Sequence, residues 1–268
     1  MSITKWIDVD LSEPPDGHGT GLIEQPPAEL LASFAGIPWF DEICKDDMIP
    51  RAEWKARAAA LRAHLRGTVY TIESQGSTSA CVGFGSAKAC ETTLNRRYGK
   101  KHWVRLSGMS VYDQIGSTIR SGAYIPDGMQ FLQDVGPLPL DTPANRLLYG
   151  DCCFPGLDWK WKRPSGWEKT AGLFRVTKAA KAQGADMVAS ALLKGRCGIV
   201  GRSSHCVPYV YLDFDGNSPV AAYGNSWSSS WGDAGFGYDS ERTFGSVVCY
   251  VILEVETRPD LGLPVVAA

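Results

Sequence analysis

Residues 75–85, QGSTSACVGFG, decide how the rest of the chain is read. A loop of small residues gives way here to a helix whose first turn carries Cys81. A cysteine in that position meets the positive end of the helix dipole, which favours the thiolate, the nucleophilic form of the side chain. Ser77, Ser79 and Ala80 leave the sulfur room. Against this stands the plain reading of a small core residue, since free cysteine is among the most buried residue types. Gly83 and Gly85 each cost a helix about 1 kcal/mol relative to Ala. Close packing of another backbone is expected where they lie.

Working outward, the helix is expected from about Ser79 or Ala80 to Tyr98. TVYTIES (68–74) alternates like a short strand feeding Gln75. Before it, AEWKARAAALRAHLRG sets Trp54, Ala58, Leu61 and Leu65 on one helical face and ends at Gly67. Further helices are expected at about 108–121, 127–135 and 186–194, with GPLPLDTP as loop. Strand-length runs follow, CGIVGRS, HCVPYVYLDF, PVAAYGNSW, GFGYDS and SVVCYVILEVE, separated by turn residues such as DGNSP. Helices first and strands second predict an α+β fold of two lobes, helical over about 49–150 and β-rich over about 151–268. Residues 1–48 differ. DLSEPPDGHGTGLIEQPPAELL carries two Pro-Pro pairs and several glycines, which favour extended chain. The expectation there is an arm, a pro-segment or a docking arm, with one helical turn near Ala28 to Phe34.

Composition bounds the function. The chain has 268 residues, a formal net charge of −2 and nine Trp, so it can build a sizeable core and has no global basic field for nucleic acid or an anionic membrane. No apolar run approaches the ~20 residues that span a bilayer, and the N-terminus lacks the pattern of a secretory signal. The expected location is the cytoplasm or a virus particle. Eight cysteines include no CxxC and no Cys/His zinc spacing, so no metal is expected and most thiols should be free and buried. Two basic stretches with interleaved aromatics, RRYGKKHWVR (96–105) and DWKWKRPSGW (158–167), read as a solvated helix end and an exposed loop rather than a nucleic-acid surface.

Four histidines occur, at 18, 64, 102 and 205. His205 opens a strand-like run directly after GRSS, a position suited to a general base. YGNSWSSSWGDAGFGY (223–238) then offers Asn225 to accept an imidazole N–H and Trp227 to shield that bond from water. A Trp/Gly-rich hairpin explains each of these residues singly, but not their joint occurrence with QGSTSAC.

Together these elements resemble the papain family of cysteine peptidases. In that family a glutamine stands six positions before the nucleophile, as Gln75 does before Cys81. A histidine and an Asn-Ser-Trp element follow in that order, matching His205 and Asn225-Ser226-Trp227. The family's Trp-Gly-x-x-Gly-Tyr turn has its counterpart in Trp231 to Phe236. Ile49-Pro50 with Glu53-Trp54, and Leu106-Ser107, extend the resemblance over about 49–258. The chain departs from the family at Thr78-Ser79-Ala80, where Cys-Gly-Ser is usual, at Val82, where Trp is usual, and at Ser228, where Gly is usual. Its segment before His205 is short. Gly122 and Gly128 are the candidates for the glycine wall of the substrate pocket.

The resemblance implies a papain-like two-lobe fold with a helical first lobe, a β-barrel-like second lobe and the active site in the cleft between them. It also implies a peptidase that needs no cofactor and acts on a peptide or protein. Cys81, His205 and Asn225 would form its triad, Gln75 its oxyanion hole, and Trp227 would support the histidine. Two other readings stand beside it. One is a structural component of a larger assembly, such as a virus particle, docked on a protein partner through residues 1–48. The other is an amidase directed at peptidoglycan.

Overall fold

The computed structural model of the chain describes residues 3–24, 28, 36–69 and 71–256. The helical turn expected near Ala28 to Phe34 lies, beyond Ala28, outside those residues. After the short α1 (Phe40–Ile43), α2 (Arg51–Gly67) turns Trp54, Ala58 and Leu65 to the core and its charged face to water. α3 (Cys81–Tyr98) is buried at every residue from Cys81 to Thr92, as a helix enclosed on all sides must be. Its two glycines sit where neighbours press closest. A Cβ on Gly83 would lie 2.4 Å from the Gly108 carbonyl oxygen, and one on Gly85 would lie 3.0 Å from the Cys206 sulfur.

α4 (Gly108–Ile115) is capped by the Ser107 hydroxyl, which accepts from the Ser110 N–H. It stops short of the expected 121, because the Ser121 hydroxyl takes the backbone N–H groups of Ser117 and Thr118 into a local turn that competes with helix. α5 (Ile125–Asp134) has Pro126 in its first turn. GPLPLDTP is loop, and the Thr142 side chain caps an unanticipated α6 (Pro143–Tyr149). α7 (Trp167–Gly172) completes the first half.

The second half holds β1 (Val176–Ala182), α8 (Ala185–Leu193), β2 (Cys197–Arg202), β3 (His205–Asp215), β4 (Ser218–Gly224), β5 (Phe236–Ser240), α9 (Glu241–Ser246) and β6 (Cys249–Val255). The strands form one antiparallel sheet in the order β1-β6-β2-β3-β4-β5. Five of the six come from the expected runs. β1, VTKAAKA, lacks the β-branched and aromatic density that marks a strand, and its partner β6 supplies the pairing. Among its described residues TVYTIES forms no strand; Ser74 makes an isolated bridge to Trp227.

The barrel-like closure is also corrected. The sheet is open, with β1 and β5 as its edges. Each edge is covered by the N-terminal segment instead, Trp39 bridging Lys181 on β1 and Ile7 bridging Tyr238 on β5. Pairing of this kind removes the exposed ladder that closure would otherwise abolish.

Among the described residues no helix is long and apolar enough to cross a membrane. All eight cysteines are free, and all but Cys152 are buried. The basic stretch near residue 100 is not one charged face. Arg96 is half-buried, donating to the carbonyls of Leu65, Gly195 and Val210 and so binding α3 to the end of α2 and to the sheet. In the second basic stretch Arg163 forms a buried ion pair with Asp113.

Candidate active site

α3 starts at Cys81, so the sulfur sits in the first turn, as the sequence predicts. His205 is placed by a two-residue turn. Ser203 and Ser204 both have positive φ, 45° and 64°, which closes β2 onto β3 with Arg202 paired to His205. Asn225 follows the end of β4, where its N–H donates to the Gly235 carbonyl at 2.9 Å.

These elements converge. His205 Nε2 lies 2.9 Å from Asn225 Oδ1, and that oxygen also accepts the backbone N–H of Ser226 at 2.7 Å. The second bond fixes which amide atom is oxygen, so Nε2 carries the proton. Nδ1, which has no hydrogen-bond partner among the described residues, holds the lone pair. Trp227 stacks on the imidazole, ring centres 4.4 Å apart at 27°, and is itself buried. The backbone amide of Cys206, one residue beyond His205, lies close enough to the Cys81 sulfur to favour its thiolate. Gln75 is fully buried. Its N–H donates to the Ser226 carbonyl at 2.9 Å, and its Oε1 accepts from the Ser226 hydroxyl. That hydroxyl turns Nε2 of Gln75 into the cleft. Sequence reading missed Ser226, although it stands inside the Asn-Ser-Trp element.

It also missed what fills the cleft. Residues 18–24 of the N-terminal segment lie in it. The Gly19 carbonyl accepts from Gln75 Nε2 at 3.0 Å and from Trp227 Nε1 at 3.1 Å. The N–H of Gly21 donates to the Ser204 carbonyl at 3.2 Å, an acceptor that the Leu22 N–H shares at 3.0 Å, and the Gly21 amide also favours the Cys81 thiolate. Gly21 and Ile23 pair with the backbone of Ala123. Of the two pocket glycines, Gly122 abuts Gly21, while Gly128 faces Ser86 and Val82 in the interior. The signal available in the sequence was HGTGL itself, glycines alternating with another residue in an otherwise Pro-rich stretch.

This cover sets the electrostatics. Burial pushes the Cys81 thiol up to about 12, against the backbone N–H groups of Cys206, Gly21 and Val82 that favour thiolate. Burial likewise pushes His205 down to about 4, against its bond to Asn225. At neutral pH both are uncharged. The thiolate expected from the helix N-terminus is therefore not the form held here, because excluding water costs the charged forms more than the fixed dipoles return.

No protein-family model matches the chain, and no curated protein matches its sequence. Solved structures do match. The digestive procathepsin L2 proteinase of Tenebrio molitor larval midgut aligns with a TM-score of 0.64 over 96% of this chain and 85% of its own, at 17% identity. ProCathepsin B S9 from Trypanosoma congolense aligns at 0.59 over 89% and 87%, at 12% identity. Xylellain, a cysteine protease from Xylella fastidiosa, aligns at 0.52 over 93% and 99%, at 16% identity. At such identities the likeness is one of backbone. With the buried α3 packed on an antiparallel sheet, the chain has the papain-like fold.

Proposed function

We propose that this chain is a thiol peptidase. With the cleft open to water, Cys81 passes its proton to Nδ1 of His205, and the thiolate adds to the carbonyl carbon of a peptide bond. The oxyanion that forms is held by Gln75 Nε2 and the backbone N–H of Cys81, the first of the orphan donors at the start of α3. His205 then gives its proton to the leaving nitrogen, the C–N bond breaks, and a thioester remains on Cys81. Water, losing a proton to His205, adds to the thioester. Expulsion of the sulfur releases the acid.

The observation that carries this reading is the His205–Asn225 hydrogen bond: Asn225 Oδ1 holds Nε2 at 2.9 Å beside the stacked Trp227 ring, and Nδ1 is left without a hydrogen-bond partner among the described residues. Fold alone does not fix activity, so the test is direct. The purified full-length chain, incubated with a library of fluorogenic peptides, should cleave a subset and form an adduct with a thiol-directed epoxide at Cys81. Absence of both cleavage and adduct in the folded protein sinks the proposal.

A further inference from the structure

Resting on the peptidase reading, we propose that Glu73 is a further positioning residue of the site. One water, bound in a cavity beside the Asn-Ser-Trp element, links its carboxylate to Nδ2 of Asn225 and steadies the amide that holds His205.

Glu73, Lys88, Asn225 and Ser226 meet in this largely enclosed cavity, with Phe84 and Pro208 among its apolar walls. Its volume is about 10 Å³, near the lower bound for one water. Room alone does not hold a water, which also needs two to four polar partners. Asn225 is 3% exposed, and its Nδ2 has no hydrogen-bond partner among the described residues, although its Oδ1 has two. Oε1 of Glu73 is also sealed from solvent without a hydrogen bond. Lys88, itself buried, commits one of its three N–H donors to Glu91. A water placed there accepts from Asn225 and Lys88 and donates to Glu73. Unbridged, the buried amide N–H and the buried carboxylate oxygen would each bear the cost of lost hydration.

The backbone fixes Glu73 in place. Its carbonyl accepts from the Ser228 N–H at 3.3 Å, Ser74 bridges Trp227, and the Gln75 N–H donates to the Ser226 carbonyl. Residues 73–75 thus run alongside 226–228, which carries the carboxylate past Asn225. Charge is balanced around it. Lys88 Nζ lies 3.7 Å and Arg105 Nη2 3.5 Å from Oε1, an ion-pair geometry that leaves this oxygen's lone pairs unused. Glu91, fully buried, anchors Lys88 from the far side and takes the Leu106 N–H at 2.8 Å. Two cations therefore face two carboxylates.

The consequence is directional. Oδ1 of Asn225 is held by His205 and the Ser226 N–H, and the water holds the opposite end of the same planar amide. An amide tied at both ends cannot turn, and the imidazole it binds keeps its orientation beside Trp227.

The test uses the full-length protein. The Nε2 proton of His205 should give a slowly exchanging downfield proton resonance, assigned by its loss in His205→Gln. Glu73→Ala should broaden or abolish that resonance and lower kcat for a cleaved peptide about tenfold, with KM within about twofold. Glu73→Gln keeps an oxygen for the water and loses the charge, so it should restore the resonance and bring kcat within about twofold of wild type. Wild-type crystals should show a water within hydrogen-bond distance of both Asn225 Nδ2 and Glu73 Oε1. Should Glu73→Ala fail to fold, Glu73→Gln and the crystals decide. A Glu73→Gln protein without the resonance would mean that the carboxylate acts by charge, and overturns the water bridge. An unaltered resonance in folded Glu73→Ala, or wild-type crystals with no water at that place, does the same. The resonance is read whether or not any peptide is cleaved. A chain that shows it, loses it in Glu73→Ala and hydrolyses nothing would sink the peptidase reading and leave the role of Glu73 standing.

Discussion

The carbonyl oxygen of Gly19 sits 3.0 Å from Nε2 of Gln75, so the amide aimed into the cleft is engaged by the chain's own backbone. The same amide is held from behind by Ser226, across the lobe boundary. A donor fixed on one side and satisfied on the other is pre-organised. It needs no reorientation when a substrate oxygen replaces the glycine carbonyl.

Losing that donor should therefore act on the chemical step. Relative to the parent chain, Gln75→Ala is expected to lower kcat for a cleaved peptide by ~10²–10³, about 3–4 kcal/mol. A kcat within twofold of the parent would remove Gln75 from the oxyanion site.

Cys81 has no substitute within the site. Cys81→Ala should show no hydrolysis above the buffer rate, with its fold intact by circular dichroism. Turnover at the parent's level in purified Cys81→Ala protein would refute the assignment of the nucleophile.

Under the peptidase reading, Asn225 would act through His205 and not on the substrate. Asn225→Ala removes the acceptor of Nε2–H, and the ring is then free to turn under Trp227. The expected loss in kcat is about tenfold or more, part of the ~10²–10⁴ that a positioned acid–base group contributes. KM should change little, and the acid limb of the pH–rate profile should move. A unchanged profile would show that Trp227 alone fixes the ring.

Folded His205 takes up its proton only near pH 4, whereas an unfolded histidine does so near 6.5. Between those values the unfolded chain binds more protons, so stability falls as pH drops through that window and levels off below it. The full difference is about 3 kcal/mol. Thermal melts between pH 7 and pH 4 should record this decline, and His205→Gln should flatten it. Identical pH dependence in the two proteins would contradict the buried neutral imidazole.

Arg96 serves stability alone. Arg96→Ala would strip the carbonyls of Leu65, Gly195 and Val210 of a charged donor in the interior. Breaking such a buried network costs about 3–5 kcal/mol, which denaturant titration can measure. A change below 1 kcal/mol would mean that water replaces the guanidinium there.

Some of this architecture was legible in the residues alone. Trp54, Ala58 and Leu65 fell on one face at helical spacing, and five strands announced themselves by β-branched and aromatic runs between turn residues, because local periodicity mirrors which side of an element is buried. β1 was not legible, since VTKAAKA pairs only because β6 is there to receive it. The open sheet edges likewise depended on partners distant along the chain, whereas α4 was cut short by a local side-chain turn at Ser121 that periodicity does not reveal.

By itself the sequence determined the chemistry on offer. It put a cysteine at a helix start, a histidine at a strand start, a glutamine six residues before the cysteine, and an Asn-Ser-Trp element behind them. Only the tertiary structure decided that Asn225 takes Nε2 of His205, that Ser226 aims Gln75, and that Gly19 and Gly21 occupy the cleft. Those contacts join residues 20 to 208 positions apart. Hydrogen-bond direction and the exclusion of water arise only when both lobes and the N-terminal segment are assembled around the same sulfur.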